Sequence, residues 1–317
     1  MDLSLNNHIF LVGINTIMVA ALLAWYAYGS AFTVTDVSKD RSLHHGKAVT
    51  GAGILMFVPF SLSVIAVFPD FIAAYLLLLM SLLGFFDDKF DLSFKLRLLL
   101  QALLVIACLY YYGYEPNLLM LFLLFASIWW INLFNFMDGA NGMAGFHGLV
   151  VLSFYGVVFF LSQSFNFIIS IAAVIILIYL VFNVGLKKLF MGDSGSLPLA
   201  FLLFVLALWS IQSGWLNYLQ VAIIHAVFIA DSTFTLLVRL KNGENITQAH
   251  ASHLYQRLIK NGASHVFVSL SYATLTLFLC ALALWVGSAK IITQFSTLLI
   301  IYGILLLIFI KTFKLGR

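Results

Sequence analysis

Eleven apolar runs dominate this chain, at about residues 8–29, 48–68, 71–86, 96–114, 118–135, 144–163, 166–184, 196–212, 216–238, 264–286 and 291–311. Each approaches or reaches the ~17–25 residues a helix needs to cross a bilayer. Their continuity excludes the alternating strands of about ten residues that build a membrane barrel. Only 9% of the residues are charged, against about a quarter in soluble domains, so a water-soluble core is excluded as well. The expectation is an all-α polytopic membrane protein with about eleven transmembrane helices, a single domain spanning residues 1–317. The first residues, MDLSLNNHIF, lack the basic stretch of a signal peptide, so the first span is expected to be retained. Cys108 and Cys280 both fall inside apolar runs and offer neither a disulfide framework nor metal spacing.

Charge sets the orientation. With eleven spans, fifteen of the sixteen Lys and Arg residues fall on one side and only Lys290 on the other. By the positive-inside rule the rich side is cytoplasmic, which puts the N-terminus in the periplasm and the C-terminus in the cytoplasm. The cytoplasmic loops are then about 30–47, 87–95, 136–143, 185–195 and 239–263, and they gather nearly all the polar chemistry. Any site is expected at the cytoplasmic face.

Four clusters lie there. In GFFDDKFDLSFKLR, Asp87 and Asp88 are adjacent at a span end, and neighbouring carboxylates need a cation or a basic partner to stay ionised together. In WWINLFNFMDGANGMAG, Asn135 and Asp138 stand among glycines where lipid-facing surface has no use for polar groups. In LVFNVGLKKLFMGDSGSL, Asn183 closes a span, and Asp193 precedes a small-residue helix start able to offer backbone N–H groups to an anion. The loop RLKNGENITQAHASHLYQRLIKNG carries His250, His253 and Arg257 at spacings of three and four, which would share one helical face. Asp231, in the last turns of the preceding span, is costly in a membrane helix and therefore a functional candidate. Taken singly, the clusters also read as a solvated loop, a packing face, a capped turn and an amphipathic helix. Two histidines with no third ligand nearby argue against zinc. Together the four fit a cation-assisted phosphoryl-transfer site.

The motifs DDKFD, NLFNFMDGANGMAG, FMGDSGSL and HASHLYQR, in that order, resemble those of the polyprenyl-phosphate N-acetylhexosamine-1-phosphate transferases, the glycosyltransferase 4 group containing WecA, WbpL and MraY. The resemblance runs from about Arg41 to Arg257. It implies an enzyme of the bacterial inner membrane, of the 2.7.8 class of transferases. Such an enzyme moves a sugar 1-phosphate from a UDP-N-acetylhexosamine to undecaprenyl phosphate, releases UMP, and starts O-antigen or related lipopolysaccharide and cell-envelope synthesis. The implied cofactor is Mg²⁺, with Mn²⁺ as a substitute. The bilayer is a partner, nucleic acid is not, and a homodimer is compatible. By position, Asp87 and Asp88 match the catalytic acid pair, and Asp193 with Asp88 the metal ligands. Asn135, Asp138, Asn183, Phe190, His250, His253 and Arg257 match the nucleotide-sugar side, with Phe190 against uracil. Lys95 and Arg97 match the lipid-phosphate side, and Asp231 and Lys47 are supporting.

Two departures narrow the reading. The family's first loop often reads Pro-x-x-Gly-Gly, where this chain has Val49 and Ala52, and this leaves the role of Lys47 open. MraY-type members carry three consecutive histidines, which HASHLYQR lacks, so the WecA and WbpL side fits better than a peptidoglycan-precursor transferase. A transporter or channel, the rival class, would place ionisable residues near mid-membrane and open them to both faces.

Overall fold

The computed structural model describes residues 5–29, 33–37, 47–161, 167–248 and 250–315. Helix α1 (Leu5–Tyr28) leads into strands β1 (Val34–Val37) and β2 (Lys47–Thr50). Helices α2 (Ile54–Val67), α3 (Ile72–Phe90), α4 (Phe94–Tyr111), α5 (Leu118–Phe136), α6 (Met143–Leu161) and α7 (Phe167–Leu180) follow, and α7 passes into a π-helical turn, Val181–Gly185. Then come α8 (Asp193–Gln212), α9 (Tyr218–Ile224), α10 (Ala226–Lys241), the short α11 (Leu254–Lys260), α12 (His265–Gly287) and α13 (Ile291–Leu315).

Every predicted apolar run contains a helix, and the chain is a multi-pass helical membrane protein. Among the described residues, eight helices are long and apolar enough to cross a bilayer, or nine when α9 and α10, bent by 74° at His225, count as one span. The predicted eleven therefore exceeds what length and composition support, for two local reasons. The run at 48–68 spends its first residues on β2 and a turn, which leaves α2 only 14 residues, about 21 Å of helix. The run at 71–86 continues as helix through Asp87, Asp88 and Lys89, so α3 ends on three charged residues. The all-α expectation also has one exception. β1 and β2 form an antiparallel pair, Val34 opposite Thr50 and Val37 opposite Lys47. Tyr26 pins this hairpin to α1, its hydroxyl donating to the Thr50 carbonyl and accepting from the Val34 N–H.

Helix α8 is the axis of the bundle. It is apolar all round, as a helix enclosed by others must be, and 83% of its apolar window is buried, against 11% for α13 and 22% for α1 and α4. Pro198 lacks an N–H, so the Ser194 carbonyl four residues earlier has no helical donor. The Ser81 hydroxyl of α3 donates to that carbonyl at 3.0 Å, and the Trp130 indole of α5 donates to the Ala200 carbonyl. Gly84 lets α3 and α8 approach this closely, because a Cβ there would lie 2.2 Å from the Asp193 carbonyl oxygen. The segment before α8 runs beside β2. The Phe190 N–H donates to the Val49 carbonyl, and the N–H groups of Ala52 and Gly53 donate to the carbonyls of Phe190 and Met191. Ala52, one of the two departures in the first loop, is fully buried in this seam.

Gly84→Ala should therefore force α3 away from α8 and lower the melting temperature of the detergent-solubilised protein by several degrees, in keeping with about 1–3 kcal/mol for overpacking. Gly303→Ala, on α13 with nothing within 4 Å of the new Cβ, should leave it unchanged.

Candidate active site

One end of the bundle holds a cavity of about 360 Å³. It is lined by Asp87, Asp88, Asp91, Phe94, Arg97, Asn135, Phe136, Asp193, Ile246, Thr247, Gln248, His250 and His253. All four polar clusters of the sequence thus contribute to one space. What each side chain can do there depends on how its polar atoms are already engaged.

Both oxygens of Asp88 are committed to backbone. They accept the N–H groups of Asp193 (2.9 Å) and Ser194 (3.0 Å), the first residues of α8. An acid from α3 thereby caps a helix more than a hundred residues away and satisfies two of its free donors. The turn before α8 is shaped to receive it. Gly192 has φ +67°, and a Cβ at that position would meet the Asp88 carboxylate at 2.6 Å.

Asp87 faces the other way. Its Oδ1 accepts the Leu92 N–H at 2.9 Å, closing the turn that ends α3, and its Oδ2 accepts from Arg97 Nη1 at 2.6 Å. The Ser93 hydroxyl caps α4, so Arg97 falls in the first turn of that helix, opposite Asp87. The same Nη1 reaches Asp193 Oδ2 at 3.4 Å. Arg97, expected on the lipid-phosphate side, thus bridges two carboxylates instead of standing free. Lys95, on the same turn, is exposed and lies outside the cavity lining.

On the amide side, Asn135 lines the cavity and accepts a hydrogen bond from the Ser196 hydroxyl. Asn183 is buried and committed to backbone. It accepts the Gly142 N–H, donates to the Leu189 carbonyl, and its own carbonyl accepts from the Asn141 amide. Sitting in the π-helical turn, it ties the loop after α5 to the loop before α8, which does not bring it into the cavity lining. Asp138 and Phe190 are half-buried and also outside that lining. Burial and the negative charge of Asp88 push the Asp138 carboxyl well above the usual carboxylate range. Lys47 opens β2, and its side chain lies outside the described structure.

The long loop is held at two points. Arg239 pairs with Glu244 at 2.8 Å and donates to the carbonyls of Asn245 and Gln248, folding Ile246–Gln248 over the cavity. Asp231 accepts the N–H groups of Leu254 and Tyr255 and the Tyr272 hydroxyl, and so starts α11 at Leu254. The expected common helical face of His250, His253 and Arg257 does not form, because this capping leaves both histidines outside the helix. The two imidazoles lie 4.7 Å apart by ring centroids, and His253 stacks on Phe136. Arg257, inside α11, donates to the Ser252 carbonyl and packs over the Phe313 ring, away from the cavity. Burial foremost pushes both histidines down to about 3, with Arg239 adding to it, so they are neutral at pH 7.

Among the described residues, no three His, Cys, Asp or Glu side chains are assembled to hold a metal by themselves. The charges around the cavity nonetheless fit one. Four carboxylates face it, and Arg97 is the one cationic side chain in the described lining. Such a set suits a hard divalent cation whose remaining ligands are oxygens of a bound phosphate. Sequence reasoning missed Phe94, Phe136 and Ile246–Gln248. For the last three, the signal was Arg239 and Glu244 flanking a turn.

The fold and site define a multi-pass membrane protein with an acidic cavity at one end. Residues 71–211 match the family model of glycosyl transferase family 4. The chain is 31% identical over 206 residues to a probable undecaprenyl-phosphate N-acetylglucosaminyl 1-phosphate transferase of Bacillus subtilis, an alignment covering 58% of this chain and 56% of that one. It is 29% identical over 206 residues to a phospho-N-acetylmuramoyl-pentapeptide-transferase of Streptococcus pneumoniae, covering 56% and 62%. With the same enzyme of another pneumococcal strain it is 28% identical over 258 residues, covering 70% and 78%. The chain thus spans rather more than half the length of the first two relatives.

Two outcomes test this geometry. Asp88→Ala should lower the melting temperature of the ligand-free protein, since losing a helix cap costs about 0.5–2 kcal/mol, whereas Asp193→Asn should leave it nearly unchanged. Below about pH 6.5 the unfolded chain protonates His250 and His253 while the native protein does not, because their native values are about 3. Stability should therefore fall between pH 7 and about 5. A His250→Gln, His253→Gln double variant should show a shallower fall in the same thermal scan.

Proposed function

We propose that this chain transfers N-acetylhexosamine 1-phosphate from a UDP-sugar to undecaprenyl phosphate at the cytoplasmic face of the bacterial inner membrane. An oxygen of the lipid phosphate attacks the β-phosphorus of the donor. The bond from that phosphorus to the bridging oxygen breaks, and UMP leaves with the electron pair. The observation that carries this reading is the convergence of Asp87, Asp193, Arg97 and the two histidines on one cavity at the end of an apolar bundle. A lipid phosphate reaches such a place from the bilayer and a nucleotide reaches it from water.

Asp193 and Asp87 are the residues that would hold Mg²⁺, Asp88 serving by fixing the turn that presents Asp193. When bound, the ion neutralises the diphosphate and polarises phosphorus. The remaining work is alignment and charge. Neutral His250 and His253 can donate to donor phosphate oxygens without drawing in water. Asn135 in the lining, with the half-buried Asp138 and Phe190, marks the nucleotide side. Arg97 is the cation within reach of the acceptor phosphate. The absence of a three-histidine run in HASHLYQR favours a WecA- or WbpL-like donor, such as UDP-GlcNAc or a 6-deoxy relative, and a role in starting O-antigen or a related glycan.

Purified protein given undecaprenyl phosphate, Mg²⁺ and a panel of UDP-sugars should release UMP with at least one donor. Asp193→Asn should lose at least about a thousandfold of that rate, of the order seen when a transition-state charge stabiliser is removed. Folded protein that releases no UMP with any donor would refute the proposal.

A further inference from the structure

We propose that the Arg97 guanidinium holds the place of the divalent cation in the metal-free protein and is released towards the cavity when the metal binds. This rests on the metal-dependent reading above and adds a coupling that it does not contain.

The contacts of Arg97 are those of an exchangeable cation. A fixed structural arginine engages several nitrogens of its planar fork, as Arg239 does with Nε, Nη1 and Nη2 on three acceptors. In Arg97 a single nitrogen, Nη1, makes both contacts, at 2.6 Å to Asp87 and 3.4 Å to Asp193. Arg97 Nε is buried with no hydrogen-bond partner, so the side chain is only partly satisfied where it stands. Its two acids come from different elements, the end of α3 and the start of α8, so Nη1 occupies the gap that a metal shared by both would occupy. Asp88 contributes its oxygens to the backbone of α8 and is the less available ligand.

Charge gives the direction of exchange. A doubly charged ion between the same oxygens binds them more strongly than one arm of a delocalised guanidinium. The displaced side chain already borders the cavity and is one-fifth exposed, so it has a path into it. It would then be an unpaired cation beside the incoming phosphates. Metal binding thus prepares the anion site, and in the metal-free state the same residue prevents Asp87 and Asp193 from repelling each other.

Mn²⁺ binding to substrate-free protein, followed by electron paramagnetic resonance, tests the competition. Arg97→Gln should tighten Mn²⁺ binding about tenfold, the equivalent of about 1.4 kcal/mol, and Arg97→Lys by less. In the wild-type protein, Mn²⁺ should speed modification of Arg97 by phenylglyoxal several-fold by peptide mass spectrometry, with Arg239 and Arg257 unaffected. Unchanged or weaker Mn²⁺ binding in folded Arg97→Gln overturns the inference but spares the transferase reading. So does protection of Arg97 by metal. Should neither variant fold, the wild-type modification experiment decides alone. Wild-type protein that binds no Mn²⁺ sinks both the inference and the metal-dependent reading.

Discussion

The carboxylate of Asp88 joins the last turn of α3 to the first N–H groups of α8, and most of the cavity's geometry follows from that junction. Helix α8 is the buried axis of the bundle, and its N-terminus would otherwise present free donors to an apolar surrounding. Satisfying them from α3 fixes where Asp193 stands. It also fixes the distance between Asp193 and the acid next to Asp88 in the sequence, since Asp87 points to the opposite side of the same turn. Gly84, Ser81 and Gly192 each serve this junction, by close approach, by a hydrogen bond to the carbonyl that Pro198 leaves open, and by a left-handed turn.

The same solution recurs on the other side of the cavity. Asp231, on α10, accepts two N–H groups at the start of α11 and a tyrosine hydroxyl from α12. The loop between α10 and α11 is then closed by Arg239, whose guanidinium is shared between Glu244 and two carbonyls. An ionisable residue inside a membrane helix is costly. In both places backbone donors offset that cost, and in both the outcome is a helix start fixed beside the cavity.

Much of this was legible in the sequence, but not evenly. The helices were, because lipid demands long apolar runs, and the clusters were, because lipid does not tolerate them. The breaks were not. The run at 216–238 reads as one span, yet it bends by 74° at His225. The hairpin in the first loop depends on Tyr26 and on residues 189–191, none of which a local pattern reveals. The spacing of His250, His253 and Arg257 was helical, but the helix begins where Asp231 caps it, 23 residues upstream of Leu254. Asn183 had the look of a ligand-binding amide and is consumed by backbone groups of two loops.

These cases share a cause. A polar residue in an apolar chain signals that something must satisfy it, and the sequence does not say whether that is the protein's own backbone or a ligand. The structure separates the two kinds. Asp88, Asp231 and Asn183 have their oxygens filled by N–H groups, and each joins elements far apart in the chain. Asp87 has one oxygen filled by the Leu92 N–H, but its Oδ2 and Asp193 Oδ2 face a single guanidinium nitrogen that they must share, in a cavity where carboxylates outnumber cations. An acid satisfied by backbone has no reason to exchange its partner. An acid oxygen satisfied by one arm of a side chain is open to exchange, and that is the position of Asp87 Oδ2 and Asp193 Oδ2 against Arg97.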